Sequence, residues 1–124
     1  MNLVDLNALE NNEVNASYLR KIANGDSLTI ARVEVRQGEV TQPHSHESEE
    51  AIFVLSGAWC VHMPDGDVVL RSGQMLFIPP GVEHSSEILE DTVALDICSK
   101  QRPDWISGAD KSLHDNPAQF LWGV

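Results

Sequence analysis

The sequence predicts an all-β fold, a small antiparallel barrel or sandwich in which helix is a minor component. Two observations support this prediction. Short apolar or alternating segments recur between Leu28 and Cys98, and turn-forming Gly, Pro and Asp residues separate them. Short strands at such spacing, with turn chemistry between them, are typical of barrels and sandwiches.

The first strand is predicted over Leu28 to Arg36, where apolar and charged side chains alternate as on a half-buried strand. Ser56-Gly57 predicts a tight glycine turn between two strands, and Asp65-Gly66 predicts a hairpin because Asp-Gly readily supplies positive φ angles. The later candidate strands are residues 51–55, 58–63, 68–71, 74–78, 84–89 and 92–98.

The chain ends flank this region. Residues 15–22 are an additional strand candidate, and residues 2–10 are a short helix or an extended arm. Residues 99–124 form an irregular or partly helical C-terminal tail, and we expect all 124 residues to form one domain. The tail should pack over the barrel or across a dimer interface, because it carries three large aromatic residues, Trp105, Phe120 and Trp122.

Composition narrows the possible partners. The net charge of −11 and the eight Lys and Arg residues leave no cluster of cations for a phosphate backbone, so we expect no nucleic acid partner. The sequence shows neither a signal-peptide pattern nor a membrane-spanning apolar run, so we expect a soluble cytoplasmic protein. Cys60 and Cys98 are expected to be buried as small apolar residues.

Four residues have the types and the spacing of a metal site. His44 and His46 are two residues apart, so on an extended strand both side chains leave the same face, about 7 Å apart at the Cα level. Glu50 adds a carboxylate oxygen, and His84, on a later strand, would complete the set. Three imidazoles and one carboxylate suit one divalent Fe, Mn, Ni, Co or Zn ion and leave positions open for water or substrate.

These residues also carry a family resemblance. The first cupin motif, G-x5-H-x-H-x3-E-x6-G, is matched by Gly38, His44, His46, Glu50 and Gly57. The second, G-x5-P-x-G-x2-H, is matched by Gly73, Pro79, Gly81 and His84. The chain therefore resembles the small single-domain metal-binding cupins.

The resemblance implies a cupin β-barrel of the jelly-roll type over about residues 28–98. It implies that the four candidate residues bind a divalent transition metal. Ile88 departs from the motif, which has Asn at this position. His62 and His114 lie outside both motifs, and we expect them to be ordinary packed or surface residues.

Residues 92–98 leave two orientations open. Asp96 and Cys98 share one face of this strand, and Val93, Leu95 and Ile97 share the other. If the apolar face points inward, Asp96 is solvated. If the polar face points inward, Asp96 lines the cavity.

The segment from residue 89 to residue 105 resembles the pectin-degradation cupins, which convert a 4,5-unsaturated monouronate to its linear ketonised form. This resemblance implies that Asp96 acts in proton transfer and that Arg102 binds the substrate carboxylate. Two residues depart from that group: Cys98 stands in place of an aromatic residue, and Glu50 in place of Gln. The Glu50 carboxylate makes the site more like that of dioxygenase cupins.

Three main functions stay open at this point, beside a natural-product tailoring role such as cyclisation or isomerisation, and each implies a small-molecule partner. The first is a metal-dependent enzyme of lyase, isomerase or hydrolase type that acts on an unsaturated uronate or a similar carboxylate, with Asp96 and Arg102 as catalytic residues. The second is an Fe-dependent dioxygenase. The third is a non-catalytic cupin that binds a small ligand.

Apolar residues suggest both a cavity wall and a partner surface. On the strand over residues 51–55, one face is expected to point inward and the other toward the second subunit of a homodimer. The inward residues are Glu50, Ile52 and Val54, and the outward residues are Ala51, Phe53 and Leu55. The candidate wall residues are Trp59, Met63, Met75 and Phe77.

Overall fold

The computed structural model describes residues 1–100 and 102–115, and it confirms the all-β prediction. The described chain has antiparallel strands, one short α-helix, α1 (Pro103–Ser107), and 3-10 turns at Leu6–Ala8 and Ala109–His114. None of these helices is long and apolar enough to cross a membrane. The strands are β1 (Asn12–Asn15), β2 (Tyr18–Asn24), β3 (Leu28–Val35), β4 (Val40–His44), β5 (Glu50–Met63), β6 (Gly66–Arg71), β7 (Met75–Ile78) and β8 (His84–Ser99).

Two long strands, β5 and β8, connect the two layers of the fold. They have 14 and 16 residues and pair with each other along most of their length. On its other edge β5 pairs first with β7 and then with β6, while β8 pairs first with β4 and then with β3. We call β1, β2, β3, β7 and the adjoining halves of β5 and β8 the first layer. The second layer consists of β4, β6 and the other halves.

Strand β5 bends at Gly57, where a turn between two strands was predicted. That prediction is wrong, because the strand continues from Glu50 to Met63. Gly57 has a φ of +104°, and a Cβ there would lie 2.4 Å from both the Asp91 carbonyl oxygen and the Thr92 Oγ1. Glycine is therefore required where β5 comes closest to β8.

Two other segments also differ from the predictions. Residues 84–89 and 92–98 belong to one strand, β8, because Glu90-Asp91 lies in the bend opposite Gly57 and does not turn the chain. Residues 15–22 span two strands, because the chain turns after Asn15, whose Oδ1 accepts the Ser17 N–H at 2.7 Å. The N-terminal arm contains only the 3-10 turn at Leu6–Ala8.

The core lies between the two layers and follows the alternation of β5. Glu50, Ile52 and Val54 point inward and are at most 5% exposed, as predicted. On the opposite face Leu55 is 41% exposed. Trp59 is also buried in the core, in the second layer.

Two of the four candidate wall residues lie on the outside of the barrel. Met75 and Phe77 are 44% and 61% exposed, so the prediction that they line the cavity is wrong. Alternation along β7 instead buries Ile78 and turns Phe77 outward. Met63 is partly buried and packs against the core.

The C-terminal segment covers one end of the barrel. We call Pro103–His114 the C-terminal cover; its 3-10 turn contacts β1 and β4, and its Trp105 is buried in the core. The predicted packing of the tail over the barrel is therefore observed for Trp105. Phe120 and Trp122 lie outside the described residues.

Candidate metal centre and cavity

Three histidines meet where strands β4, β5 and β8 come together. His44 is the last residue of β4 and lies opposite His84, the first residue of β8. His46 is in the loop that leads to Glu50 at the start of β5. The expectation that His44 and His46 lie on one strand is therefore wrong. The Gly81 N–H donates to the His46 carbonyl oxygen at 2.9 Å, and this bond ties the loop to the turn before β8.

Each imidazole is oriented by a backbone carbonyl. The Nδ1–H groups of His44 and His84 donate to the carbonyl oxygens two residues earlier, both at 2.9 Å. The His46 Nδ1–H donates to the Ser48 carbonyl oxygen at 2.8 Å. A carbonyl only accepts, so these bonds set the tautomer and leave each Nε2 as a free ligand.

The imidazole rings converge on one another. The His44 and His84 ring centroids are 4.4 Å apart, those of His46 and His84 5.0 Å, and those of His44 and His46 5.7 Å. One nitrogen from each ring lies within 4.8 Å of the others. This spacing is suitable for binding a single ion.

The lone pairs at this point fit a bound cation. The Glu50 Oε1 lies 3.1 Å from the Nε2 of His46 and 3.1 Å from the Nε2 of His84. A carboxylate oxygen and imidazole lone pairs repel one another unless a cation, either a proton on the imidazoles or a metal ion, lies among them. One divalent transition metal satisfies all of these groups together, so the donor set fits the ion that the sequence predicts.

A separate group of possible ligands consists of Glu50, Asp96 and Cys98, whose ligand atoms lie within 4.8 Å of one another. Burial opposes ionisation of Glu50, but hydrogen bonds from Asp96 and two histidines outweigh it and hold the Glu50 pKa well below its usual range. Burial, together with the Glu50 charge, raises the Asp96 pKa well above its usual range. Burial also raises the pKa of the Cys98 thiol, which weakens it as a ligand.

The polar face of the last strand points inward. Asp96 and Cys98 are 5% and 0% exposed, whereas Val93, Leu95 and Ile97 lie on the opposite, partly exposed face. Of the two orientations that the sequence left open, the one with a solvated Asp96 is therefore wrong. The Oδ1 of Asp96 is buried and has no hydrogen-bond partner among the described residues.

Arg102 reaches the same wall of the cavity. Its Nη1 donates to the Cys98 Sγ at 3.3 Å, while its Nε and Nη2 donate to the Asp104 carboxylate at 2.9 and 2.7 Å. Its Cζ lies 4.7 Å from the centroid of the Trp105 ring. The structure thus brings Arg102 near Asp96, with part of its charge neutralised by Asp104.

Comparison with known proteins agrees with this geometry. The Cupin domain family matches residues 31–98. This chain belongs to the cupin family. The cupin is 30% identical over 83 residues to the 3-hydroxyanthranilate 3,4-dioxygenase of Nematostella vectensis. That match covers 64% of the cupin but only 30% of the dioxygenase, so the cupin spans about a third of the length of this relative.

Solved structures resemble the cupin over most of its length. KdgF from Halomonas sp. has a TM-score of 0.73 at 28% identity, and the match covers 79% of this chain and 94% of KdgF. An RmlC-like cupin from Shewanella frigidimarina has a TM-score of 0.77 at 20% identity over 85% of this chain and 96% of its own. The second likeness shows the fold alone.

A buried ion pair at the far end of the cupin cavity was not predicted. Arg20, on β2, is 2% exposed and donates to both carboxylate oxygens of Asp110 at 2.6 and 3.0 Å. Its Nε donates to the Asn12 Oδ1 at 3.1 Å. The sequence contains one signal of this burial. Arg20 lies two residues from both Tyr18 and Ile22, so on a strand it shares the face of these two large side chains.

His114 lies beside this pair and lines the cavity, although it is outside both motifs. Its Nδ1 is 3.3 Å from the Thr41 Oγ1 and 3.6 Å from a Glu39 oxygen, and its Nε2 is 3.9 Å from Asp110. Burial lowers the pKa of His114 to about 4. It is a packed neutral histidine, as expected. His62 is at the surface, 2.7 Å from Asp67.

The closed cavity between these two ends is small. Its volume is about 40 Å³, enough for an ion and a few water molecules. Arg102, Asp110 and His114 close one side of it, and all three belong to or adjoin the C-terminal cover.

Proposed function

We propose that this cupin is a metal-dependent enzyme that converts an unsaturated uronate, or a similar carboxylated substrate, by metal-assisted proton transfer. The observation that carries the proposal is the buried Asp96 carboxyl group, which lines the cavity next to Glu50 and whose Oδ1 has no partner among the described residues. A group that can hold or accept a proton thus lies beside the candidate metal ligands. The likeness to KdgF and the resemblance of the tail to pectin-degradation cupins support the same reaction class.

The site residues divide the chemistry among them. His44, His46, Glu50 and His84 would hold one divalent Fe, Mn, Ni, Co or Zn ion. When bound, such an ion supplies a Lewis acid that polarises a substrate oxygen. Asp96 moves a proton on the cavity side of the site, since proton transfer requires a group within hydrogen-bond reach of the reacting atom.

Arg102 is proposed to bind the substrate carboxylate. The chain has a net charge of −11, so an anionic substrate needs a local cation to offset the repulsion. Among the described residues, the Arg102 Nη1 donates only to the Cys98 thiol, which a carboxylate can displace. Charge-assisted hydrogen bonds to a guanidinium are among the stronger polar contacts in proteins.

Substrate access requires the C-terminal cover to open. Cavities that hold small-molecule ligands typically have volumes of about 300 Å³ or more, and the closed cavity has about 40 Å³. In the part of the chain that the structure describes, the cover is held to the barrel by the buried Trp105 and by a small set of polar contacts that includes the Arg20–Asp110 pair. Opening would separate Trp105 and Leu113 from the cavity and widen it on the Arg102 side.

The direct test is incubation of the metal-loaded protein with 4,5-unsaturated galacturonate while its ultraviolet absorbance is followed. We expect metal-dependent loss of absorbance, reduced about 100-fold or more in Asp96→Asn because general acid–base catalysis contributes that much. Asp65→Asn, at an exposed turn, is the matched control and should keep full activity. Absence of any metal-dependent change in the unaltered protein would rule this reaction out.

A second candidate function is an Fe-dependent dioxygenase. It is favoured by Glu50, a carboxylate within 3.1 Å of two imidazoles, and by the 30% identity to 3-hydroxyanthranilate 3,4-dioxygenase over part of that protein. Oxygen uptake with Fe(II) and 3-hydroxyanthranilate, absent in His84→Ala, would support it. Binding of either substrate without turnover would instead support a non-catalytic cupin.

We also propose a homodimer formed through the outer face of the first layer. A row of apolar residues crosses four strands there: Ile30, Ile97, Ala51 and Phe77 are neighbours in the pairing register. A second copy of this acidic chain meets little repulsion at such an apolar row. Sedimentation should give a dimer that Phe77→Lys dissociates and that Val68→Lys, on exposed β6, leaves intact. A monomeric unaltered protein would contradict the proposal.

A further inference from the structure

Two buried polar atoms lack a hydrogen-bond partner within the described chain, and both belong to residues that line the same cavity. They are the Nε1–H of Trp59 and the Oδ1 of Asp96. Asp96 already has a role in the proposed reaction, whereas Trp59 has none. The Trp59 side chain is 3% exposed, so bulk water does not reach its indole nitrogen.

An unpartnered buried donor is unfavourable. Leaving such a group unsatisfied costs about 1–3 kcal/mol, and buried tryptophan nitrogens usually find a partner. The apolar packing of Trp59 against the core does not need its N–H group, because phenylalanine would supply aromatic surface without an orphan donor. A ligand that brings its own acceptor would explain the tryptophan.

The two orphan atoms come from opposite walls. Trp59 lies in the second layer, where it pairs with Ile88 and Leu70. Asp96 lies in the first layer, opposite Ile52. A ligand between the layers therefore meets a donor on one side and an acceptor on the other.

The two arginines that line the cavity do not occupy the space beside the Trp59 N–H. The Arg20 guanidinium is bound to Asp110, and the Arg102 guanidinium is bound to Asp104 and Cys98. Their hydrogen bonds stay within the first layer and the C-terminal cover. The Trp59 N–H is thus available to a neutral oxygen, such as a hydroxyl or a carbonyl, on the part of the ligand that faces the second layer.

We propose that Trp59 is a substrate-binding residue whose indole N–H donates to a hydroxyl or carbonyl oxygen of the substrate. It would select small, oxygen-rich molecules over those that present only carbon on that side. The proposal deepens the proposed function and rests on it for the choice of the unsaturated uronate as substrate. It makes Trp59 a specificity-determining residue in addition to the metal ligands, Asp96 and Arg102.

The first experiment changes one atom. Replacing Trp59 with benzothienylalanine, in which sulfur substitutes for the N–H group, keeps the shape of the side chain. We expect KM for 4,5-unsaturated galacturonate to rise about tenfold, the loss of one hydrogen bond, with kcat changed less than about twofold. The melting temperature of the ligand-free protein should not fall, because the N–H has no partner there. A lower melting temperature would show a structural partner and overturn the proposal.

The second experiment does not depend on turnover. In the metal-loaded protein, the Trp59 indole N–H resonance, assigned with Trp59→Phe, is followed during titration with 4,5-unsaturated galacturonate, saturated galacturonate and 3-hydroxyanthranilate. A downfield shift with any of these supports the Trp59 assignment, even if the uronate is not converted and the proposed function fails. An indole resonance unmoved by all three probes overturns the assignment, even if the uronate is converted.

Discussion

The two ends of the cavity are built in opposite ways. At the metal end, three imidazole nitrogens lie within 4.8 Å of one another, and the Glu50 Oε1 lies 3.1 Å from two of them, so that lone pairs face one another. At the cover end, the buried charges of Arg20 and Asp110 are paired with each other. The first end is complete only with a cation, and the second is complete in itself.

This difference separates the roles of the two ends. Groups that repel one another in the folded chain cost stability and are retained where a ligand compensates for them. Groups that are matched within the chain hold the structure together, here by fixing the C-terminal cover over the barrel. Changes at the metal end should therefore affect ligand binding, and changes at the cover end should affect stability.

The largest expected effect is at the metal end. His84→Ala should abolish stoichiometric metal binding, with affinity reduced by more than about 100-fold, because even the loss of a group that only orients a ligand costs 10–100-fold. Metal content after dialysis measures this effect. The fold should persist, since His84 makes no contact that the β8 backbone needs, and circular dichroism checks it. Retention of one metal per chain would show that the ion is held elsewhere.

Asp110→Ala should lower the stability of the protein and leave its metal binding unchanged, the opposite of what is expected for His84→Ala. It leaves the Arg20 charge buried without its partner, which costs about 3–5 kcal/mol in the free energy of unfolding. Metal content should not change. Chemical denaturation measures the loss, and the double variant Arg20→Met with Asp110→Leu is the control, because apolar replacement of both partners is often nearly neutral. Equal stability of Asp110→Ala and the unaltered protein would mean that the pair does not fix the cover.

The smallest of these effects is a pH dependence at the cover end. Burial lowers the pKa of His114 from 6.5 in the unfolded chain to about 4, so the unfolded chain binds a proton first as the pH falls. The contribution of His114 is complete above pH 6.5 and is lost by about pH 4, a decrease of about 3 kcal/mol.

Unfolding free energies of the unaltered protein and His114→Gln between pH 7 and pH 4 isolate this contribution. The neighbouring Glu39 has a pKa raised by burial and acts in the opposite direction, but it is present in both proteins. The difference between the two proteins should therefore shrink as the pH falls. A difference that stays constant would contradict a neutral, buried His114.

The metal end could be predicted from the sequence because its determinants are local. His44, His46 and Glu50 lie within seven consecutive residues, and a glycine turn places His84. The inward orientation of Asp96 could not be predicted, because a strand with one polar and one apolar face packs either way until its neighbours are known. The outer apolar face of the first layer resolves that choice.

The cover end could not be predicted, because its contacts join distant parts of the chain. Arg20 and Asp110 are 90 residues apart, and the sequence gives no register between β2 and the C-terminal cover. The continuity of β5 was missed for a related reason. Glycine is a typical turn residue, so Gly57 was interpreted as part of a turn. Only the close approach of β8 at Thr92 shows why a glycine is needed within a strand.

The most direct test of the central claim is X-ray absorption spectroscopy of the metal-loaded protein. We expect nitrogen and oxygen as the nearest scatterers, at about 2.0–2.2 Å, together with the more distant scattering pattern of three imidazoles. His44, His46, His84 and Glu50 would supply it. A sulfur scatterer at about 2.3 Å would instead place the ion among Glu50, Asp96 and Cys98, and would contradict the claim.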